Sequence, residues 1–140
     1  MATIALIQDL FRALMTDRPE VISGFARQVH QRFYEVLQDE SGHVIQRAKS
    51  LNDYQSQGLP APDVVICAPF PEEGNLAPGI AELSRLREFF GQTPIIVWST
   101  RQEESIRETA INDYGVVAYY TGTLLDAPDD LADLILEHTR

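Results

Sequence analysis

The sequence predicts an α/β fold, a doubly wound five-stranded parallel sheet with helices on both faces. Short apolar runs recur along the 140 residues, and each is followed by a stretch whose apolar side chains repeat at helical spacing. One of these runs, Val64-Val65-Ile66-Cys67-Ala68, is apolar at every position, as a strand covered on both faces must be. Parallel strands joined by helical crossovers need that cover, so the alternation predicts a three-layer sandwich.

The elements follow in order. Ile4-Ala5-Leu6-Ile7, bounded by Gln8-Asp9, reads as the first strand. Leu10-Phe11-Arg12-Ala13-Leu14-Met15 is amphipathic and reads as an extension of the loop packing its apolar residues on the core, with a short helix over the mouth of the strand-end pocket as the alternative. A helix is expected to start at Asp17-Arg18-Pro19-Glu20, with Asp17 as N-cap, Pro19 in the first turn and Glu20 completing a capping box. Val21, Ile22, Phe25 and Val29 then repeat at helical spacing. Phe33-Tyr34-Glu35-Val36-Leu37 is expected to form the second strand. Ser41 is expected to cap a helix with the stripe Val44, Ile45, Ala48 and Leu51, and residues 52–62, polar and rich in Gly, Gln and Pro, read as a loop.

The third strand is residues 64–68, and 69–75 is a loop. Pro78 opens a helix that turns Ile80, Leu83, Leu86 and Phe90 inward and stops at Gly91. Pro94-Ile95-Ile96-Val97-Trp98 is the fourth strand. Thr100 and Glu103 have capping-box spacing ahead of a helix running through Tyr114 to Gly115. Residues 116–120 form the fifth strand. Pro128 starts a last helix burying Leu131, Leu134 and Ile135, with Asp129 and Asp130 at its positive end. Ligands on such sheets collect at the carboxyl ends of the strands, which directs attention to Gln8, Asp9, Ala68, Pro69, Ser99, Thr100, Thr121 and Gly122.

Composition narrows the function classes. Apolar residues make up 44% and charged residues 23%, ordinary globular usage for one domain over residues 1–140. No run reaches the roughly 18–20 apolar residues of a spanning helix, and Met1-Ala2-Thr3-Ile4 carries no secretory signature. Cys67 is the single cysteine, which fits a reducing cytoplasm. A net charge of −10 repels phosphate backbones and anionic bilayers, so neither nucleic acid nor membrane is the expected partner.

Three segments, Pro62-Asp63 with the apolar run after it, Pro94-Ile95-Ile96-Val97-Trp98-Ser99-Thr100, and Gly115-Val116-Val117-Ala118-Tyr119-Tyr120-Thr121-Gly122, are spaced so that nearly the whole chain resembles the receiver domain of two-component response regulators. The resemblance implies a flavodoxin-like strand order 2-1-3-4-5. It places Ser99 at the family's phosphoryl-sensing hydroxyl and Tyr119 at its aromatic switch. It also exposes departures. The two acidic magnesium ligands align with Gln8 and Asp9, the phosphoacceptor aspartate with Ala68, the lysine with Gly122, and the proline beside it with Thr123. Pro71 is one position off another proline of the family. Phosphoryl transfer needs an in-line carboxylate oxygen, a divalent cation and a positive side chain. With Ala68, Gln8 and Gly122 each element is missing or halved, so no phosphorylation, metal or cofactor is expected here. Glu72 or Glu73 would lack a fixed in-line geometry.

Other chemistries find little support. His30, His43 and His138 have no metal-ligand spacing, Cys67 reads as a small core residue, and no glycine-rich phosphate loop follows a strand. Trp98, Tyr119 and Tyr120 are divided between core packing and a partner surface on the fourth helix, fifth strand and last helix, the face receivers use. The expected function is a degenerate receiver, a pseudo-receiver without enzymatic activity. It would bind another signalling protein, a covalently linked output or sensor domain, or a second copy of itself. The alternatives are a small-molecule-binding domain using a vacated pocket around Ala68 and Gly122, and a conventional receiver with an unusual pocket.

Overall fold

A computed structural model describes residues 1–7, 24–71, 74–123 and 125–139, with only the backbone described at Phe25 and Ala26. Five parallel strands lie in the order β2-β1-β3-β4-β5. They are β1 (Thr3–Ile7), β2 (Val44–Ala48), β3 (Val64–Cys67), β4 (Ile95–Trp98) and β5 (Ala118–Tyr120). The helices are α1 (Gly24–Tyr34), α2 (Leu51–Gln57), α3 (Ala77–Phe90), α4 (Glu104–Glu108) and α5 (Ala127–His138). Helix α1 runs on as a π-helical turn over Glu35–Glu40, and α4 does the same over Thr109–Asp113. The doubly wound architecture and strand order are those expected.

The core has two layers, one on each face of the sheet. Helices α1 and α5 cover one face with Val29, Phe33, Leu37, Leu131 and Ile135, packed on Ile4, Leu6, Val64, Ile66 and Ile96. Helices α2, α3 and α4 cover the other with Tyr54, Leu83, Leu86, Phe90 and Ile106, packed on Ala5, Ile7, Val65, Cys67 and Val97. β1, β3 and β4 alternate between two apolar layers, which is why β3 and β4, and β1 from Ile4 onward, are apolar.

The second strand–helix unit corrects the sequence reading. Phe33 to Leu37 is helical, not a strand. Val29, Phe33 and Leu37 stand four residues apart and bury together on one side of α1 and its π-turn. Full burial of such side chains contributes roughly 1.5–3 kcal/mol each, which outweighs the local β preference of Phe, Tyr and Val. Ser41 starts no helix; it is the C-cap of the π-turn, and its hydroxyl donates to the Val36 carbonyl (2.8 Å). Val44 to Ala48, expected as part of a helical stripe, is the edge strand β2, and Leu51–Gln57, of which residues 52–57 were expected as loop, is helix α2. Its N-cap is Ser50, whose hydroxyl accepts from the Asp53 amide (3.2 Å), and Gly58 ends it with a left-handed φ of 61°.

An inward Gln46 hid the strand. This residue is 7% exposed; its amide nitrogen donates to the Pro60 carbonyl (2.7 Å) and its oxygen accepts from the Tyr54 phenol (2.7 Å). A buried amide so satisfied costs little.

Other differences are smaller. Thr100 and Glu103 make no capping box: Glu103 is the α4 N-cap without a side-chain bond to the helix, and its carboxylate turns back to Arg101. β3 ends one residue early at Cys67, β5 starts two residues late at Ala118, and Leu134 is half-buried. The expectations for residues 8–23, the capping box at Asp17 and the 10–15 segment included, lie outside the described residues.

His43 joins the π-turn to the sheet. Its Nδ1 accepts from the Ala2 amide (3.0 Å), which requires an unprotonated nitrogen. Partial burial, and then the nearby N-terminal amine, hold its pKa below the usual histidine value. The unfolded chain therefore takes up a proton first as pH falls below about 6.5, and stability drops from there until the folded pKa is passed. Urea midpoints at neutral and mildly acidic pH are expected to differ more for the wild type than for His43→Asn.

Candidate functional site

The carboxyl ends of β3, β4 and β5 bring Ala68, Ser99 and Gly122 to one end of the sheet. Gln8, Asp9, Glu72 and Glu73 lie outside the described residues, so the site rests on the other three strand ends. Among the described residues no group of three His, Cys, Asp or Glu side chains could hold a metal ion.

Ala68 is the first residue beyond β3. It continues the alternation of Val64 and Ile66 onto the α1/α5 face and is 9% exposed, within the apolar layer that contains Leu6, Phe33, Ile96 and Trp98. Its methyl group is part of the core. Ser99 follows β4 and is 3% exposed. Its amide donates to the Tyr120 carbonyl (2.9 Å) and its hydroxyl accepts from the Arg101 amide (3.0 Å).

At the end of β5 an aromatic cluster fills the strand-end space. Trp98 and Tyr120 are register partners across β4 and β5, with ring centroids 5.9 Å apart. Phe33 stacks on the other side of the indole, 6.5 Å away and within 7° of parallel. The indole N–H donates to the Gly122 carbonyl (3.2 Å), and the Tyr120 phenol donates to Asp130 of α5 (2.6 Å). A β-carbon added at Gly122 would fall on the phenol of Tyr120, overlapping its oxygen and Cζ. Gly122 has no left-handed φ, so space, not backbone conformation, demands glycine there. Burial first, and then the bond to Asp130, raise the Tyr120 pKa well above the ordinary phenol value.

Tyr119 points to the opposite face and packs against the α2/α3/α4 layer. Its phenol donates to the Arg101 carbonyl (2.7 Å); burial raises its pKa, with a bond to Ser99 pulling the other way. Both tyrosines are half-buried, one on each face of the sheet, whereas Trp98, at 3% exposed, is buried in the α1/α5 layer beside Tyr120.

A cleft of about 350 Å³ opens at the switch point between β1 and β3, lined by Ile7, Lys49, Ser50, Cys67, Ala68 and Glu82 among others. It reaches Ala68 but not Gly122, so the two positions share no vacated pocket: Tyr120 occupies the second. Glu82 accepts from the Leu51 amide across this cleft (3.3 Å). Cys67 is a core residue, as its place in a buried strand suggested. Its thiol donates to the Ile96 carbonyl (3.8 Å) and burial pushes its pKa up to about 12, so it stays protonated and inert.

Sequence reasoning missed Arg101 and Asp130. An acid in the first turn of α5 was assigned to the helix dipole, and nothing local marks it as the acceptor for Tyr120. A charged residue directly after Ser99-Thr100, at a strand end where solvent would be expected, was the signal for Arg101.

No family model matches the sequence, and no curated protein matches it. The fold matches solved structures of response-regulator receivers. The phosphorylated cyanobacterial phytochrome response regulator RcpA superposes with a TM-score of 0.64 at 13% identity, covering 98% of this chain and 93% of that one. The chemotaxis response regulator CheY4 of Vibrio cholerae gives 0.62 at 15% identity, covering 98% of both chains. A response regulator from Thermotoga maritima gives 0.61 at 17% identity, covering 98% and 96%. The chain has the receiver fold.

Proposed function

We propose that the domain is a pseudo-receiver: a signalling module that works by binding another protein and carries out no phosphoryl transfer and no other enzymatic reaction. The observation that carries this reading is the filled strand-end site. Where a receiver needs a carboxylate, Ala68 contributes a methyl group to the core, and where it needs a lysine, Tyr120 covers Gly122 and is tied to Asp130. Neither arrangement can be phosphorylated or hold a phosphoryl group.

The surface of α4, β5 and α5, with the two half-buried tyrosines, is the partner face in this reading. The partner is another signalling protein, a linked output or sensor domain, or a second copy of the chain. The charge of −10 argues against nucleic acid and anionic membrane, and no helix among the described residues is long and apolar enough to cross a bilayer. The work is assigned to the cytoplasm, where signalling of this type takes place. Affinity capture from the native cell, with and without a small phosphodonor, tests the reading. The same partner is expected in equal amount under both conditions, and capture that requires the phosphodonor contradicts it.

The cleft beside Ala68 favours a second reading, a small-molecule-binding regulatory domain. Its volume and largely apolar lining with Lys49, Ser50 and Glu82 suit a small ligand. A metabolite retained in the native mass spectrum of protein from its own cell would support this reading, and its loss in Lys49→Glu, a change at an exposed residue of the lining, would locate it.

A further inference from the structure

Arg101 bonds through its main chain and its side chain to four parts of the strand-end surface. Its amide donates to the Ser99 hydroxyl (3.0 Å) and its carbonyl accepts from the Tyr119 phenol (2.7 Å). Its guanidinium reaches the carbonyls of Pro71 (3.4 Å) and Gly74 (3.3 Å), in the loop after β3, and pairs with Glu103 (3.0 Å) at the start of α4. The Arg101 side chain is 15% exposed but Glu103 is 51% exposed, so the ion pair is screened by solvent and the carbonyl bonds set the geometry. Glu103 responds to the pairing: its carboxyl is held below the usual range, first by the bond from Arg101.

From this we infer that Arg101 is a latch coupling Tyr119 in β5 to the loop that follows β3, so that the two regions order and loosen together. The mechanism is geometric. Bonds on both sides of the residue fix its backbone, and a fixed backbone fixes the direction in which the side chain leaves. The planar guanidinium fork then meets two carbonyls and a carboxylate at once, which the point charge of a lysine does not reproduce. Without the phenol bond the carbonyl of residue 101 turns freely, the fork loses its aim, and the loop loses its anchor, although Tyr119 itself bonds to nothing in that loop. Pro71 and Asn75 also line the cleft, so the latch joins the cleft to the tyrosine face. This coupling stands on the geometry alone, whichever partner or ligand the domain takes.

Hydrogen exchange under native conditions tests it. In Tyr119→Phe the Ala77 amide, which donates to the Asn75 side chain of that loop (3.0 Å), is expected to exchange about tenfold faster, the opening that loss of one such bond permits. Arg101→Lys is expected to do the same. Tyr54→Phe, which removes a phenol bond elsewhere in the core, is expected to leave this amide unchanged. In the unaltered protein the Arg101 Nε–H is expected to be protected from solvent exchange. An unchanged Ala77 amide in Tyr119→Phe, or an Arg101 Nε–H that exchanges as fast as an exposed arginine's, would overturn the latch.

Discussion

Ala68→Asp is expected to destabilise the protein by about 2–4 kcal/mol and to leave it unphosphorylated. The residues packed on the core side of Ala68 are apolar, so the new carboxyl loses much of its hydration. Burial raises its pKa, so the folded state holds its proton longer than the unfolded chain does. The cost is accordingly smallest below about pH 4, where both states are protonated, and grows as pH rises. Thermal melts should show a Tm lower by roughly 5–15 °C near neutral pH and a smaller difference in acid. Incubation with acetyl phosphate and magnesium should add no phosphoryl group, because the cation that would hold one has no place beside Gly122. A stable variant that labels would mean that the apolar packing at this strand end yields easily.

Gly122→Lys is expected to cost about 2–4 kcal/mol, because its β-carbon and the Tyr120 phenol need the same space. Relief requires the phenol to swing away, which breaks its bond to Asp130 and disturbs the indole bond to the Gly122 carbonyl. A mutant cycle isolates the clash. Tyr120→Ala alone loses packing against Trp98, but Gly122→Ala should be far less costly in that background than in the wild type. The expected coupling lies between about 0.5 and 3 kcal/mol, read from urea midpoints. Additive effects would show that the ring does not hold the position.

The fold class was legible because β1, β3 and β4 lie between two apolar layers and so are apolar at every residue but Thr3. The second unit was not. β2 is an edge strand whose inward positions are Gln46 and Ala48, and a buried glutamine is recognisable only through Pro60 and Tyr54, its partners in space. Residues 33–37 have the local composition of a strand, and only the spacing from Val29 through Phe33 to Leu37 reveals the helix. At the site, the alanine at position 68 could be read directly. The Tyr120 ring over Gly122 could not, since it depends on a side chain folding back along its own strand to an acid eight residues beyond that glycine. Arg101 illustrates the same limit: beyond its neighbours Ser99 and Glu103, its bonds run to two chain segments distant in sequence, the loop after β3 and Tyr119.

The most direct measurement records two-dimensional amide spectra of the wild-type protein while magnesium and beryllofluoride, a phosphoryl mimic, are added together. The filled strand ends predict that the amides of Ala68, Ser99, Tyr119 and Gly122 keep their positions throughout. A saturable, magnesium-dependent shift of those amides would contradict the account, because it would require a carboxylate and a bound cation at this end of the sheet.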